Sequence, residues 1–123
     1  MNTQEVANRL VELCRMGEYM QAVNELYDQN VVSKEMPSWP NPIISGKDAV
    51  IKKNEEWGET LVEFHGSKIS DPIVADNHFS CTMEMDCTFK EQGRIQMEEV
   101  CVYQVNNGKI VEEQFFYAEE PTE

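Results

Sequence analysis

A carboxylate occupies the middle of an otherwise apolar strand face. In Gln96–Val105 (QMEEVCVYQV), a period of two places Met97, Glu99, Cys101, Tyr103 and Val105 on one side. Gln96, Glu98, Val100, Val102 and Gln104 fall on the other. The first side is apolar enough to face inward, yet it carries Glu99. An unpaired buried charge costs several kcal/mol, so this position calls for a physical reason. One reason is chemistry: burial raises a carboxyl pKa toward neutrality, where the group can both give and take a proton. The other is structural, a carboxylate hydrogen-bonded to Tyr103 or to backbone.

A second acid depends on the turn at Asn106-Asn107-Gly108-Lys109. A three-residue loop pairs Val105 with Lys109 and brings Val111, Glu113, Phe115 and Tyr117 to the Glu99 side. A two-residue Asn107-Gly108 turn would bring Ile110, Glu112, Gln114 and Phe116 there. The first set is more apolar and is preferred. Two inward glutamates on adjacent strands could share a proton.

Other side chains could complete a pocket. His65 shares a strand face with Leu61 and Glu63, as a site residue or as a half-buried histidine. Trp39, in a Pro-rich loop, could cover a pocket mouth, and Trp57 is core or pocket wall. Met83, Met85 and Cys101 surround Glu99 if its strand pairs with the one before it. Tyr27, Tyr103, Tyr117 and Phe115 are candidates for an aromatic lining, although core packing would explain each singly.

Metal chemistry is not suggested. Cys14, Cys81, Cys87 and Cys101 match no CxxC spacing, and His65 and His78 lie far from any cysteine pair. The cysteines read as reduced core residues. No cofactor is implied.

The elements that must position these groups follow from periodicity. Asn2 with Glu5 forms an N-terminal cap, followed by Val6, Leu10, Leu13 and Cys14 at helical spacing. Gly17 ends that helix, and a second begins near Glu18 with a stripe of Tyr19, Ala22, Val23, Leu26 and Tyr27. Asn30–Met36 reads as a short strand leading into Pro37-Ser38-Trp39-Pro40-Asn41-Pro42. Ser45-Gly46-Lys47-Asp48 caps a third helix, on which Val50, Ile51, Asn54 and Trp57 share a face.

Beyond Gly58 the pattern is β: Leu61–Ile69, Ile73–Ala75, then Phe79–Phe89. In the last of these, apolar odd positions alternate with Ser80, Thr82, Glu84, Asp86 and Thr88, which places Glu84 and Asp86 on a wet face. Lys90–Arg94 reads as a turn. Parity then requires odd residues to pair with odd, for instance Phe89 with Ile95 and Met85 with Glu99.

The 123 residues suit one domain with its own core, spanning 1–123 with a frayed tail at 119–123. A net charge of −13 disfavours nucleic acid and anionic membranes as partners. No apolar run approaches the roughly 20 residues that span a bilayer. The start, MNTQEVANRL, lacks a signal peptide's basic and apolar segments, so the expected location is cytoplasmic.

With helix, helix, short strand, helix and then a twisted antiparallel sheet, SGKDAVIKKNEEW and MEEVCVYQVNNGKIVEEQFFY carry a resemblance. The chain resembles SnoaL-like members of the nuclear transport factor 2-like superfamily over nearly its whole length. That resemblance implies an α+β cone, with three N-terminal helices packed on a strongly curved, mostly antiparallel sheet and a pocket at the wide end. Polyketide cyclases, ketosteroid isomerases, epoxide hydrolases, dehydratases and binding-only modules share this fold, so it does not choose the chemistry.

The isomerases carry a general base near the end of the first strand. Aligning Leu26–Glu35 there without a gap puts Glu35 at that position. The second acidic position falls at Cys101, two residues past Glu99 on the same face, and the oxyanion-binding tyrosine falls at Leu10 or Val11. The steroid isomerase dyad is therefore incomplete.

Two expectations follow. One is a cofactor-free enzyme in which Glu99 moves a proton, helped by Glu113 or Glu35, with Tyr103 or His65 orienting the substrate. The other is a module that binds a small apolar or partly polar ligand, or dimerises, without turnover. Val100, Val102 and Phe116, on the opposite sheet face, ask for cover, and the resemblance implies a homodimer there.

Overall fold

The computed structural model describes residues 1–118, so the expected frayed tail lies outside the described residues. Helix α1 (Thr3–Arg15) starts on the expected capping box: the Asn2 side chain accepts from the Glu5 backbone, and the Glu5 side chain accepts from Asn2 N–H. It stops where Gly17 takes φ +76°. Helix α2 (Tyr19–Leu26) runs directly into β1 (Tyr27–Lys34). The strand therefore begins earlier than the expected Asn30, because Tyr27 leaves helical geometry (φ −89°, ψ 140°) and pairs with Ile110.

After β2 (Ile43–Ser45) comes α3 (Lys47–Thr60), whose cap is Gly46 at φ 99° with no side-chain cap bond. That helix runs through Gly58 to Thr60. The remaining strands are β3 (Leu61–Ile69), β4 (Ile73–Ala75), β5 (His78–Phe89), β6 (Gly93–Asn106) and β7 (Lys109–Phe116). The sheet order is β2-β1-β7-β6-β5-β3, with β4 also paired to β5. The β1–β7 pair is parallel and the others are antiparallel.

The core lies between the helices and one face of this sheet. Val6, Ala7, Leu10 and Leu13 of α1 are buried in one cluster with Phe79, Cys81 and Met83 of β5 and Cys101, Tyr103 and Val105 of β6. Truncating a Leu such as Leu13 to Ala in such a core costs about 2–5 kcal/mol.

Two register expectations are corrected. Parity held between β5 and β6, but the pairing is two residues away: Phe89 faces Gly93, Met85 faces Met97 and Met83 faces Glu99. Gly93, at φ +80°, joins the ladder, so the turn shrinks to Lys90–Gln92 and the strand starts earlier than expected.

The β6–β7 turn is the two-residue one, with Asn106 opposite Lys109 and both Asn107 (φ 53°) and Gly108 (φ 76°) in the left-handed region. A Cβ on Gly108 would stand 2.9 Å from the Met1 carbonyl oxygen. By simple alternation this turn would have put Glu112 inward. Instead the register shifts between Gln104 and Val105, which pair with Glu112 and Ile110, leaving Val111 as an extra residue in β7. Ile110, Glu113 and Phe115 thereby share the inner side, so Glu113 faces inward by a turn and a bulge rather than by the longer loop.

Candidate active site

Glu113 and Ser33 are the buried polar residues among those described, and the β1–β7 register sets them side by side. Ser33 Oγ donates to Glu113 Oε2 at 2.6 Å, and the Tyr27 hydroxyl donates to Glu113 Oε1. Burial pushes the Glu113 carboxyl up, while the Ser33 and Tyr27 donors, and then the Lys53 charge, pull it back. Burial also raises Tyr27 well above the usual phenol range, with the Glu113 charge adding to it.

Lys53 continues this network. Its ammonium donates to Ser33 Oγ at 2.9 Å and to Glu35 Oε2 at 3.1 Å, and lies 5.5 Å from the centre of the Phe115 ring. On the other oxygen, Glu35 accepts from the Tyr117 hydroxyl at 3.0 Å, which in turn accepts from Trp39 Nε1 at 2.5 Å. Burial and the neighbouring Glu35 carboxylate push Tyr117 up to about 12. One hydrogen-bonded chain thus runs from Trp39 in the Pro-rich loop to the interior carboxylate Glu113.

Glu99 differs in its partners. It is half-buried on β6, opposite Met83, and its hydrogen-bond donor among the described residues is the Cys101 thiol, with Sγ 3.5 Å from Oε2. A thiol is a weak donor. Burial raises Glu99 to about 7, with the Glu35 and Glu113 charges adding to it and Cys101 and Lys53 opposing. The three glutamates and Lys53 thus act on one another through space. A carboxyl poised near neutrality with few partners can exchange a proton with a bound molecule.

The other candidates divide between the two clusters and the core. Tyr103 is fully buried and stacks on Phe79 with centroids 4.7 Å apart, which is core packing. Cys101 is buried opposite Cys81, and all four cysteines are free. Met85 is half-buried opposite Met97. Trp57 packs edge-on against Phe89 at 5.7 Å, as wall or core. His65 makes contacts outside both clusters: Nε2 lies 2.7 Å from Thr88 Oγ1, and Nδ1 is 3.6 Å from Glu63. Asp86 is bonded to Arg94 at the surface.

Sequence reading missed Lys53 and Ser33, although a signal for each was present. Lys53 stands three residues after Val50 and four before Trp57, on the helix face that packs inward. Ser33 alternates with Val31 and Glu35 on one strand face. Tyr19 of α2 adds a buried hydroxyl that meets no partner in full hydrogen-bond geometry, although the Ser67 side chain lies close enough to act on it. Burial pushes it up to about 12, with the Ser67 side chain opposing and the Cys14, Cys87 and Glu99 charges adding to it.

The surface hollows beside α1, about 390 and 380 Å³, touch neither cluster. The larger is lined by Gln4, Asn8, Glu12, Arg15 and Asp71 among others. Among the described residues no group of three or more His, Cys, Asp or Glu side chains is arranged to hold a metal. No helix is long and apolar enough to cross a membrane.

The family model for the SnoaL-like domain matches residues 1–117. The chain belongs to the SnoaL-like family. Solved structures agree on the α+β cone of the nuclear transport factor 2-like superfamily. A candidate SnoaL-like polyketide cyclase (carbohydrate phosphatase) of Mesorhizobium loti is 34% identical to this SnoaL-like chain, with a TM-score of 0.90 over 95% of this chain and 100% of that one. A protein of unknown function with a cystatin-like fold from Xanthomonas campestris is 18% identical, with a TM-score of 0.81 over 97% and 92%. A hypothetical protein of Catenulispora acidiphila, with a ketosteroid isomerase-like fold and solved in complex with trimethylamine, is 11% identical, with a TM-score of 0.73 over 93% and 85%. No curated protein matches this SnoaL-like sequence.

Proposed function

We propose that this SnoaL-like chain binds a small, largely apolar organic molecule against the concave side of its sheet and that Glu99 there gives and takes a proton without a cofactor. The reaction class is isomerisation, cyclisation or hydrolysis of an acid- or base-labile molecule. The observation that carries this reading is the half-buried Glu99 carboxyl, whose one hydrogen-bond donor among the described residues is the Cys101 thiol, and burial raises that carboxyl to about 7. Met83 and the Phe115 ring supply apolar contact, and the Tyr19 hydroxyl supplies a donor for a polar atom of the ligand. The likeness to a candidate polyketide cyclase supports a carbon-skeleton substrate. The proposed setting is the cytoplasm, where the free thiols stay reduced.

A second reading is a binding or dimerisation module without turnover. It is favoured by Glu113 and Glu35, which are both engaged in internal bonds. It is also favoured by Val100 and Phe116, cross-strand partners on the outer face that are 43% and 44% exposed. Two apolar neighbours on an open sheet face suit a second copy of the chain.

Glu99→Leu and Glu99→Gln separate the readings. If Glu99 is held for chemistry, Glu99→Leu keeps the fold and gains about 1–2 kcal/mol in urea unfolding, as when a functional carboxyl is removed. A large loss with Leu and almost none with Gln assigns Glu99 a structural hydrogen bond and removes it from the mechanism. Sedimentation of Val100→Asp tests the dimer: wild type at twice the chain mass with a monomeric variant supports it, and a monomeric wild type ends it.

A further inference from the structure

Lys53 is the group through which the three acids differ. Its ammonium touches Glu35 directly at 3.1 Å and reaches Glu113 only through the Ser33 hydroxyl, at 2.9 Å and then 2.6 Å. A hydroxyl has one hydrogen to donate. With Lys53 donating into Ser33 Oγ, the Ser33 hydrogen is committed to Glu113 Oε2. With the ammonium also in a salt bridge to Glu35, one cation fixes two carboxylates as acceptors. Glu99 has no bond to Lys53. It receives only the through-space part of that charge.

We infer that Lys53 is a positioning residue that holds Glu35 and, by way of Ser33, Glu113 as fixed hydrogen-bond acceptors, leaving Glu99 as the acid free to exchange a proton. This rests on the proposed role of Glu99 and extends it by saying why that glutamate, rather than its two neighbours, would do the work. Lys53 touches no reacting atom in this scheme. Its side chain is mostly buried, as is that of Glu35, so the pair is poorly screened by salt.

The titratable groups around Glu99 come from each packed element. The Glu99 charge acts on Cys14 of α1 and Tyr19 of α2, and the charge of Lys53 on α3 acts on Glu99. Glu35 lies just past β1, Cys81 is on β5, Cys101 on its own strand and Glu113 on β7. Lys53 is the cation of that set, and it opposes the upward push on both Glu99 and Glu113.

The test is a pH titration of the Glu99 and Glu113 side-chain carboxyls by carbon-13 NMR in the full chain, with no ligand added. Lys53→Met is expected to move both midpoints up, with Glu113 moving further because the Ser33 hydrogen is also released. Lys53→Arg keeps the charge and should leave the Glu99 midpoint close to wild type. Unmoved midpoints in a folded Lys53→Met overturn the proposal. If Lys53→Met does not fold, Ser33→Ala decides. It cuts the path to Glu113 while leaving the Glu35 pair, so the Glu113 midpoint must rise and that of Glu99 must stay near its wild-type value. A Glu113 midpoint that stays put overturns the assignment. Because no substrate is involved, this outcome is independent of whether Glu99 acts on one. A Glu99→Leu variant that loses stability would remove the acid–base reading without touching the role of Lys53.

Discussion

Glu113 and Glu99 face the same side of one sheet on neighbouring strands, yet they are equipped in opposite ways. Glu113 has two hydroxyl donors and a lysine one hydroxyl away. Glu99 has a thiol. The first arrangement satisfies a buried carboxylate and ties β1, β7 and α3 together through side chains. The second leaves a carboxyl whose charge is poorly compensated and whose proton is correspondingly available. The contrast teaches that an acid on an apolar face is not by itself a sign of chemistry, and that its donors say which acid is structural and which is spare.

The sharpest break in that contrast comes from Glu113→Leu. It leaves the Tyr27 and Ser33 hydroxyls without their acceptor and should cost about 3–5 kcal/mol in urea unfolding. Glu113→Gln, which keeps one acceptor oxygen, should cost less. Equal, negligible losses in both variants would erase the distinction between the two acids.

The next effect is a pH dependence. The folded-state pKa of Glu99 is raised from 4.5 to about 7, so the neutral form is favoured in the fold. Its contribution is fully present below about pH 4.5 and is lost as pH rises through about 7, a difference of about 3 kcal/mol. Subtracting the Glu99→Gln unfolding profile from that of wild type should isolate this fall. A flat difference between pH 4 and 8 would mean that Glu99 ionises freely in the folded chain.

The smallest effect belongs to the outer end of the Glu113 chain. Trp39 is 38% exposed, and Trp39→Phe removes only its bond to the Tyr117 hydroxyl, so the loss should stay under about 1 kcal/mol. A larger loss would show that the Pro-rich loop helps to hold the interior network in place.

Structure is legible in the sequence where the contacts that build it are local. The Asn2–Glu5 capping box lies within one turn, and the alternation of Phe79–Phe89 lies within one strand. The bounds of β3 and β4 emerged because apolar runs there meet residues that end strands. The β5–β6 register was displaced by two because parity selects the face of a strand and leaves the step open. The step was set by Gly93 in a left-handed conformation. The inward turn of Glu113 was expected from the apolarity of its companions, but the route to it was a bulge at Val111 that alternation does not encode.

The amino-acid order by itself determined the α+β class, the start of α1, the limits of β3 and β4 and the presence of carboxylates on the inner face, because each follows from spacing along the chain. Tertiary structure decided which carboxylate has partners. Ser33 meets Glu113 across 80 positions, Tyr27 meets it across 86, and Lys53 reaches Glu35 across 18. Hydrogen bonds of a few ångströms between such distant positions exist only once β1 lies parallel to β7 and α3 packs against β1. Periodicity within a single element carries no information about that assembly.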